Sequence, residues 1–389
     1  MSILVFVFGI VLFIGLVIVH ELGHFLVAKR NGVQAEEFGI FFPPAIYKRK
    51  TRKGWIFSIN ILPLGGFVKL KGEHDSDVQK GSFGAASLWA KTKIMIAGIL
   101  MNLVTGIFLL MILSWLGIPQ IIPNQYSITN GSHISNQEVL VTYVLANSPA
   151  SKIGLKPENQ IIALGAPGHP QKVNSISDLQ HLAEEFAGKK TEIVYKSNGN
   201  LTQKVVRLET KKVVAASLKT KNPKGYLGIA ITSLTLRRYN IWSGPIEAVG
   251  LTWQVISLTF IGLGHALVGL GKLIAGLVTA NTVARQHGQA IASSQVAGPV
   301  GIYFILKDGS ALGYQYMLLI IAVISLTLAI MNILPIPALD GGRLWLMLIS
   351  RSIGKPLTAR SEEIINAIGM FVLITLITLI TLVDIHRFF

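Results

Sequence analysis

The chain contains no cysteine, and its 19 acidic residues are outnumbered by 35 lysines and arginines. Without thiols, disulfides and thiolate metal ligands are excluded, so a metal centre here must be built from histidine and carboxylate, and the redox compartment stays open. Charge of either sign is scarce: 14% of the 389 residues are charged and 51% are hydrophobic, with a mean hydropathy of +0.55, unlike an ordinary soluble domain. The net charge of +16 invites a nucleic-acid reading, but its placement argues against one. Lys29, Arg30, Lys48, Arg49, Lys50, Arg52 and Lys53 crowd into a short connection after an apolar run, as a cytosolic flank of a membrane span does.

Long apolar runs are what the chain has in abundance. Val5 to Ala28, Ile94 to Ile118, Ala311 to Ile333 and Ile364 to Val383 each approach the roughly 20 residues a membrane-spanning helix needs. The first run lacks a basic leader, and it carries ionisable residues that a discarded signal peptide would not need, so it is expected to be retained.

Those residues are His20, Glu21 and His24, in His-Glu-Leu-Gly-His. One helical turn separates the two histidines, which places both imidazoles on one face and lets the adjacent Glu21 reach water held by the same metal. Imidazole suits Zn2+, and a catalytic zinc uses three protein ligands with a fourth position left for water. Ionisable groups in the middle of an apolar span are costly, so a functional role outweighs a chance match.

A third ligand is available far along the chain, in Asn332-Ile333-Leu334-Pro335-Ile336-Pro337-Ala338-Leu339-Asp340-Gly341-Gly342. Pro335 and Pro337 block a regular helix, and the glycine pair permits close backbone approach, so a broken segment facing an ion is expected. Asp340 is then either the missing anionic ligand or the cap of a helix that follows a proline-rich turn.

These motifs, together with Pro63-Leu64-Gly65-Gly66-Phe67-Val68-Lys69 and Gly298-Pro299-Val300-Gly301-Ile302, resemble the site-2 proteases, zinc intramembrane metallopeptidases, and within them the bacterial regulator-of-sigma-E type. The resemblance covers nearly the whole chain. It implies zinc held by His20, His24 and Asp340, Glu21 as catalytic base, and Asn332 binding or positioning substrate backbone. Asn102 follows Ala97-Gly98 in the second span, where relatives commonly have proline after the glycine. By resemblance it presents a polar side chain to the centre, and otherwise it packs between helices. The implied substrates are single-pass membrane proteins, such as anti-sigma factors already shortened outside the membrane, or signal-peptide remnants. A non-catalytic membrane peptide-binding or chaperone protein is the alternative.

The expected fold is a polytopic α-helical membrane protein with four transmembrane helices, a membrane-associated β region and one extracytoplasmic PDZ-like domain. Residues 1–118 form an N-terminal membrane core, 119–240 an extracytoplasmic region, 241–310 an amphipathic or partly inserted connection, and 311–389 a C-terminal membrane core. Parity decides the connection. If 249–280 crossed fully, Asp340 would emerge opposite His20 and His24, and one ion could not reach all three. The expected location is the bacterial cytoplasmic membrane, with the metal toward the cytosol, where Arg343, Arg351, Lys355 and Arg360 follow the third span.

Between the first two spans, Glu37 to Leu70 alternates apolar and polar residues and predicts short strands. They either pack around the catalytic helices or pair with an unwound substrate segment. Glu138 to Glu209 resembles one PDZ domain, with a strand at Val139 to Val144, a helix at Ser177 to Ala187 and a strand around Thr191 to Lys196. Such a module can capture an extended peptide or act as a steric gate against large ectodomains, and the gate is the preferred expectation.

Overall fold

The computed structural model describes residues 2–73, 77–122, 124–197, 199–217, 223–279, 282–283, 298–354 and 358–388. Lys355 and much of the end of the 241–310 connection lie outside them. The chain divides into two compact units, one of residues 1–113 with 246–389, the other of residues 114–245.

In the first unit, α1 (Ser2–Arg30) leads into two long strands, β1 (Ala35–Lys50) and β2 (Ile56–Leu70), and then α2 (Leu88–Leu116). The strands fold back on themselves. Residues 37–40 of β1 lie opposite both 56–59 and 66–69 of β2, while 47–50 lie opposite 56–59. The segment 66–70 is therefore an edge.

The unit resumes with α6 (Ser243–Val278), α7 (Pro299–Ala311), α8 (Tyr314–Ile333), α9 (Asp340–Ser352) and α10 (Ala359–Phe388). Leu16 of α1, Leu306 of α7, and Met317 and Ile321 of α8 form one buried cluster. A second cluster, including Ala28, Leu70, Phe83, Ile94 and Leu344, joins the end of α1 to the strands, α2 and α9. Beyond these seams the helices are apolar outward: on α10, Phe371 is 72% exposed and Ile368 59%. Exposed apolar surface of that extent suits lipid and not water.

Five helices among the described residues are long and apolar enough to cross a membrane, where the sequence led us to expect four. The addition is α6, whose stretch over 249–278 was expected to be interfacial or incompletely inserted. It forms one continuous helix of 36 residues, and its length and apolar composition together qualify it. Its most apolar window is nevertheless the least hydropathic of the five, 1.5 against 2.4 to 3.0 for the others. The expected third span also begins later than Ala311, because Leu312 and Gly313 separate α7 from α8.

The second unit is β-rich. It contains β3 (Ile118–Pro119), β4 (Ser132–Val144), α3 (Pro149–Lys152), β5 (Gln160–Ala166), β6 (His169–Lys172), α4 (Ile176–Glu185), β7 (Lys190–Ser197), β8 (Asn200–Arg207), α5 (Lys211–Ser217) and β9 (Ile229–Tyr239). The strand order is β3-β9-β4-β5-β7-β8, with β6 paired to β5. Its core holds Val139, Val141, Ile161, Leu164, Leu179 and Ile193, the inward positions of alternating strands and the apolar face of α4. Ser175 starts α4 by accepting from the Asp178 N–H, while the Asp178 carboxylate accepts from the Ser175 N–H, which satisfies two otherwise orphaned donors.

Candidate metal centre

His20 and His24 sit one turn apart near the end of α1, and Asp340 opens α9. Proline stops α8 just beyond Ile333, and the chain then turns through Ala338 at φ +78°, a left-handed conformation that costs a non-glycine residue free energy and that clusters at functional sites. Gly341 and Gly342 lie against the end of this turn so closely that a Cβ on Gly341 would overlap the Asn332 and Leu334 carbonyls, and one on Gly342 the Ile336 carbonyl. The glycine pair thus lets the start of α9 fold back on the turn and fixes Asp340 where it stands.

Three ligand atoms converge. His20 Nε2 is 3.0 Å from Asp340 Oδ2, His24 Nε2 is 3.1 Å from the same oxygen, and the two Nε2 atoms are 3.2 Å apart. Tetrahedral zinc with bonds of 2.0–2.1 Å requires ligand atoms about 3.3 Å from one another, so the trio fits zinc in donor chemistry and in spacing. The buried His24 donates from Nδ1 to the Ile94 carbonyl at 2.8 Å. A carbonyl only accepts, so the Nδ1 proton is fixed and the Nε2 lone pair of the neutral ring faces the other ligands.

Glu21 is directed into a cavity of about 90 Å³ that His24 and Asp340 also line, with Glu73 and Arg343 farther along its wall. That is room for more than one water molecule. The edge segment of β2 packs against this acid: Val68 lines the same cavity, and a Cβ on Gly66 would lie 3.1 Å from Glu21 Cγ. Arg343 donates to the Glu73 carbonyl at 2.6 Å, lies 3.4 Å from the Glu362 carboxylate, and covers the Phe83 ring.

Asn102, on α2, places its amide 3.3 Å from His20 Nδ1, and the helix carrying it is held by Ser325 of α8 donating to the Asn102 carbonyl. Asn332 is half-buried in the last turn of α8, its carbonyl packed at Gly341. Its side chain hydrogen-bonds no other described residue. The structure therefore brings His20, Glu21, His24, Asp340 and Asn102 together, with Asn332 beside the turn that delivers Asp340.

Sequence reasoning missed the Ile94 carbonyl, Glu73 and Arg343, none of which has a sequence signature. It noted Gly98 only as part of a motif, yet a Cβ there would overlap His24 Nε2 and lie 2.8 Å from His20 Nε2. A glycine amid the apolar residues of α2 was a legible sign of close approach.

The sequence profile of peptidase family M50 matches residues 8–376. A putative zinc metalloprotease of Clostridium perfringens is 28% identical over 368 residues, covering 95% of this chain and 94% of the relative. A putative zinc metalloprotease of Agrobacterium fabrum is 26% identical, with 92% and 89% covered. The regulator of sigma E protease of Salmonella typhimurium is 25% identical, with 92% and 93% covered. With that profile spanning most of the chain and a His-His-Asp centre set at the end of an apolar helix, the protein belongs to peptidase family M50 and is a zinc-dependent intramembrane metalloprotease.

Proposed function

We propose that the protein hydrolyses a peptide bond within or beside the transmembrane segment of single-pass membrane proteins, near the cytosolic face, with His20, His24 and Asp340 as zinc ligands and Glu21 as general base. The observation that carries this reading is the convergence of the three ligand atoms beside Glu21 and a polar cavity, with both histidines on an otherwise apolar stretch of α1. Zinc bound there supplies Lewis acidity that activates water and polarises the substrate carbonyl. Glu21 takes the proton from water during attack and returns it to the leaving amine nitrogen. The edge of β2 packs against Glu21 at the wall of the cavity that holds the water.

Asn102 orients His20. As placed, its Oδ1 is buried without a partner while Nδ2 faces His20 Nδ1. Exchanging the two amide atoms preserves shape, gives Oδ1 the Nδ1 proton, and leaves the His20 Nε2 lone pair for the metal. Asn332, with an amide engaged by no other described side chain, is suited to hold substrate backbone. The edge 66–70 of β2 lies against Glu21 through Gly66. A substrate helix must unwind before its peptide bond is accessible, and pairing with this edge would hold the extended segment.

Chain direction supports a cytosolic-side centre. α1 carries two ligands near its C-terminal end, and the C-terminal end of α8 leads through a short turn to Asp340, so both cross the same way, and α2 crosses back. A full crossing by α6 would need a compensating one before α8, and the 13 residues of α7 span about 20 Å of a hydrocarbon layer about 30 Å thick. α6 therefore adds no net crossing and lies at the interface, where Trp242 and Trp253, 83% and 72% exposed, are suited to anchor it. Relatives named regulator of sigma E protease support a regulatory membrane protein, such as a pre-cleaved anti-sigma factor, as substrate, with signal-peptide remnants as a second class.

The β-rich unit is read as a PDZ-like, extracytoplasmic gate. Ile118 pairs with Arg237 and Pro119 with Leu236, so a short turn across that stem can replace residues 121–234, which removes β4 to β8 and the first half of β9 and leaves both of those pairs in place. In liposomes, the excised protein is expected to keep zinc and to cleave substrates whose external domains the native protein rejects. An unchanged size cutoff would defeat the gate, and lost cleavage of short substrates would favour peptide capture.

A further inference from the structure

A second cavity, of about 800 Å³, opens where α1 ends. Four lysines line it: Lys29 from the last turn of α1, Lys50 at the end of β1, Lys53 within the β1–β2 turn, and Lys71 just after β2. Among the described lining residues Glu36 is the one carboxylate, and Lys69 holds it at 3.2 Å, which in turn pushes the Lys69 pKa above its ordinary value.

The cations are placed by local structure. Thr51 N–H and Oγ1 both donate to the Trp55 carbonyl at 2.8 Å, and Gly54 N–H donates to the Thr51 carbonyl at 3.0 Å, which closes the turn that carries Lys50 and Lys53. The Lys29 ammonium lies 5.0 Å from the Phe25 ring centre and 6.0 Å from that of Trp55, so aromatic faces hold it in position. Like charges arranged around one concavity repel unless an anion enters. Val33, Trp55 and Ile56 give the wall an apolar part beside Gln34, which suits a ligand with one charged and one greasy end. Lys29 directly follows the apolar stretch of α1, the level at which lipid phosphates lie when that helix crosses.

We propose that this cavity binds the phosphate headgroup of an acidic membrane phospholipid. The inference rests on α1 crossing the bilayer and is independent of the roles given to the metal-site residues. Inorganic phosphate shares the headgroup chemistry, but the apolar wall and the Lys29 position favour the lipid. A headgroup held here would bridge the end of α1 and the β1–β2 sheet, whose edge 66–70 runs from Glu21 to Lys71 in the cavity wall.

The test uses the full-length protein in nanodiscs of phosphatidylcholine with phosphatidylglycerol of matched chains, and native mass spectrometry of the lipids retained. The native protein is expected to retain phosphatidylglycerol preferentially, with affinity falling about fivefold for each lysine replaced by glutamine. Lys50→Gln with Lys53→Gln, on an exposed turn, is the variant least prone to misfold, and Lys29→Gln with Lys71→Gln extends the series. Lys152→Gln with Lys156→Gln, in the other unit, should change nothing, and zinc content should stay constant throughout. Equal retention of the two lipids, or undiminished phosphatidylglycerol in the Lys50/Lys53 variant, would overturn the proposal. Complete displacement by millimolar inorganic phosphate would overturn the lipid as the source.

Discussion

Replacing Gly98 by alanine should weaken zinc binding while leaving the protein folded. The added methyl would sit 2.8 Å from His20 Nε2 and nearer still to His24 Nε2, against an ordinary contact of 3.4 Å or more. Relief at His20 Nε2 alone requires a separation of about 0.6 Å, and the closer His24 Nε2 contact requires more, so the shift is at least about three times the roughly 0.2 Å latitude of a metal–ligand distance. Overpacking of this kind costs about 1–3 kcal/mol, and the gain in helix propensity on losing glycine returns about 1 kcal/mol. Global stability should therefore fall by only about 0–2 kcal/mol, whereas zinc affinity should fall at least about tenfold, or 1.4 kcal/mol. Competition with a chromophoric chelator in detergent measures the affinity, and thermal unfolding of the zinc-free proteins measures the rest. Gly106→Ala is the control, because its methyl meets the flexible Leu326 side chain and should disturb packing without touching zinc. Native zinc affinity in Gly98→Ala, with stability clearly lowered, would refute the close-approach argument.

Asp340→Asn removes the anionic oxygen from the trio and should sharply weaken zinc occupancy with helicity intact; unchanged stoichiometry and coordination distances would remove Asp340 from the ligand set. Asn102→Leu should lower zinc affinity by about 10–100-fold, the usual effect of losing a group that orients a ligand, while Asn102→Asp, which keeps an acceptor toward His20 Nδ1, should retain most of it. Equal losses in the two variants would mean that Asn102 acts through packing.

The metal site was largely legible because its signal is local. A two-histidine motif at helical spacing reads the same in sequence and in structure, and the proline and glycine placement around Asp340 announced a broken backbone. The pairing of the two segments, 316 positions apart from His24 to Asp340, was legible only by elimination and resemblance. What escaped was through-space chemistry between backbones: the Ile94 carbonyl that fixes the His24 tautomer carries no side-chain signature, and the close approach at Gly98 depends on which faces α1 and α2 present to each other. The β1–β2 strands were expected, but not that both fold back so that 37–40 pairs on two sides, since register over a bend is not encoded in alternation. α6 was underestimated for a related reason. Parity limits net crossings, and it says nothing about how long an apolar helix becomes.

The most direct test of the account compares the native protein with Glu21→Gln, each purified and reconstituted in lipid with a single-pass substrate, with zinc content measured alongside and the cleaved bond located by mass spectrometry. Loss of a general base predicts a fall in cleavage of about 100-fold or more at unchanged zinc stoichiometry, and native cleavage should vanish on chelation and return with zinc. Comparable cleavage by metal-loaded Glu21→Gln would contradict the assignment of Glu21 as the base.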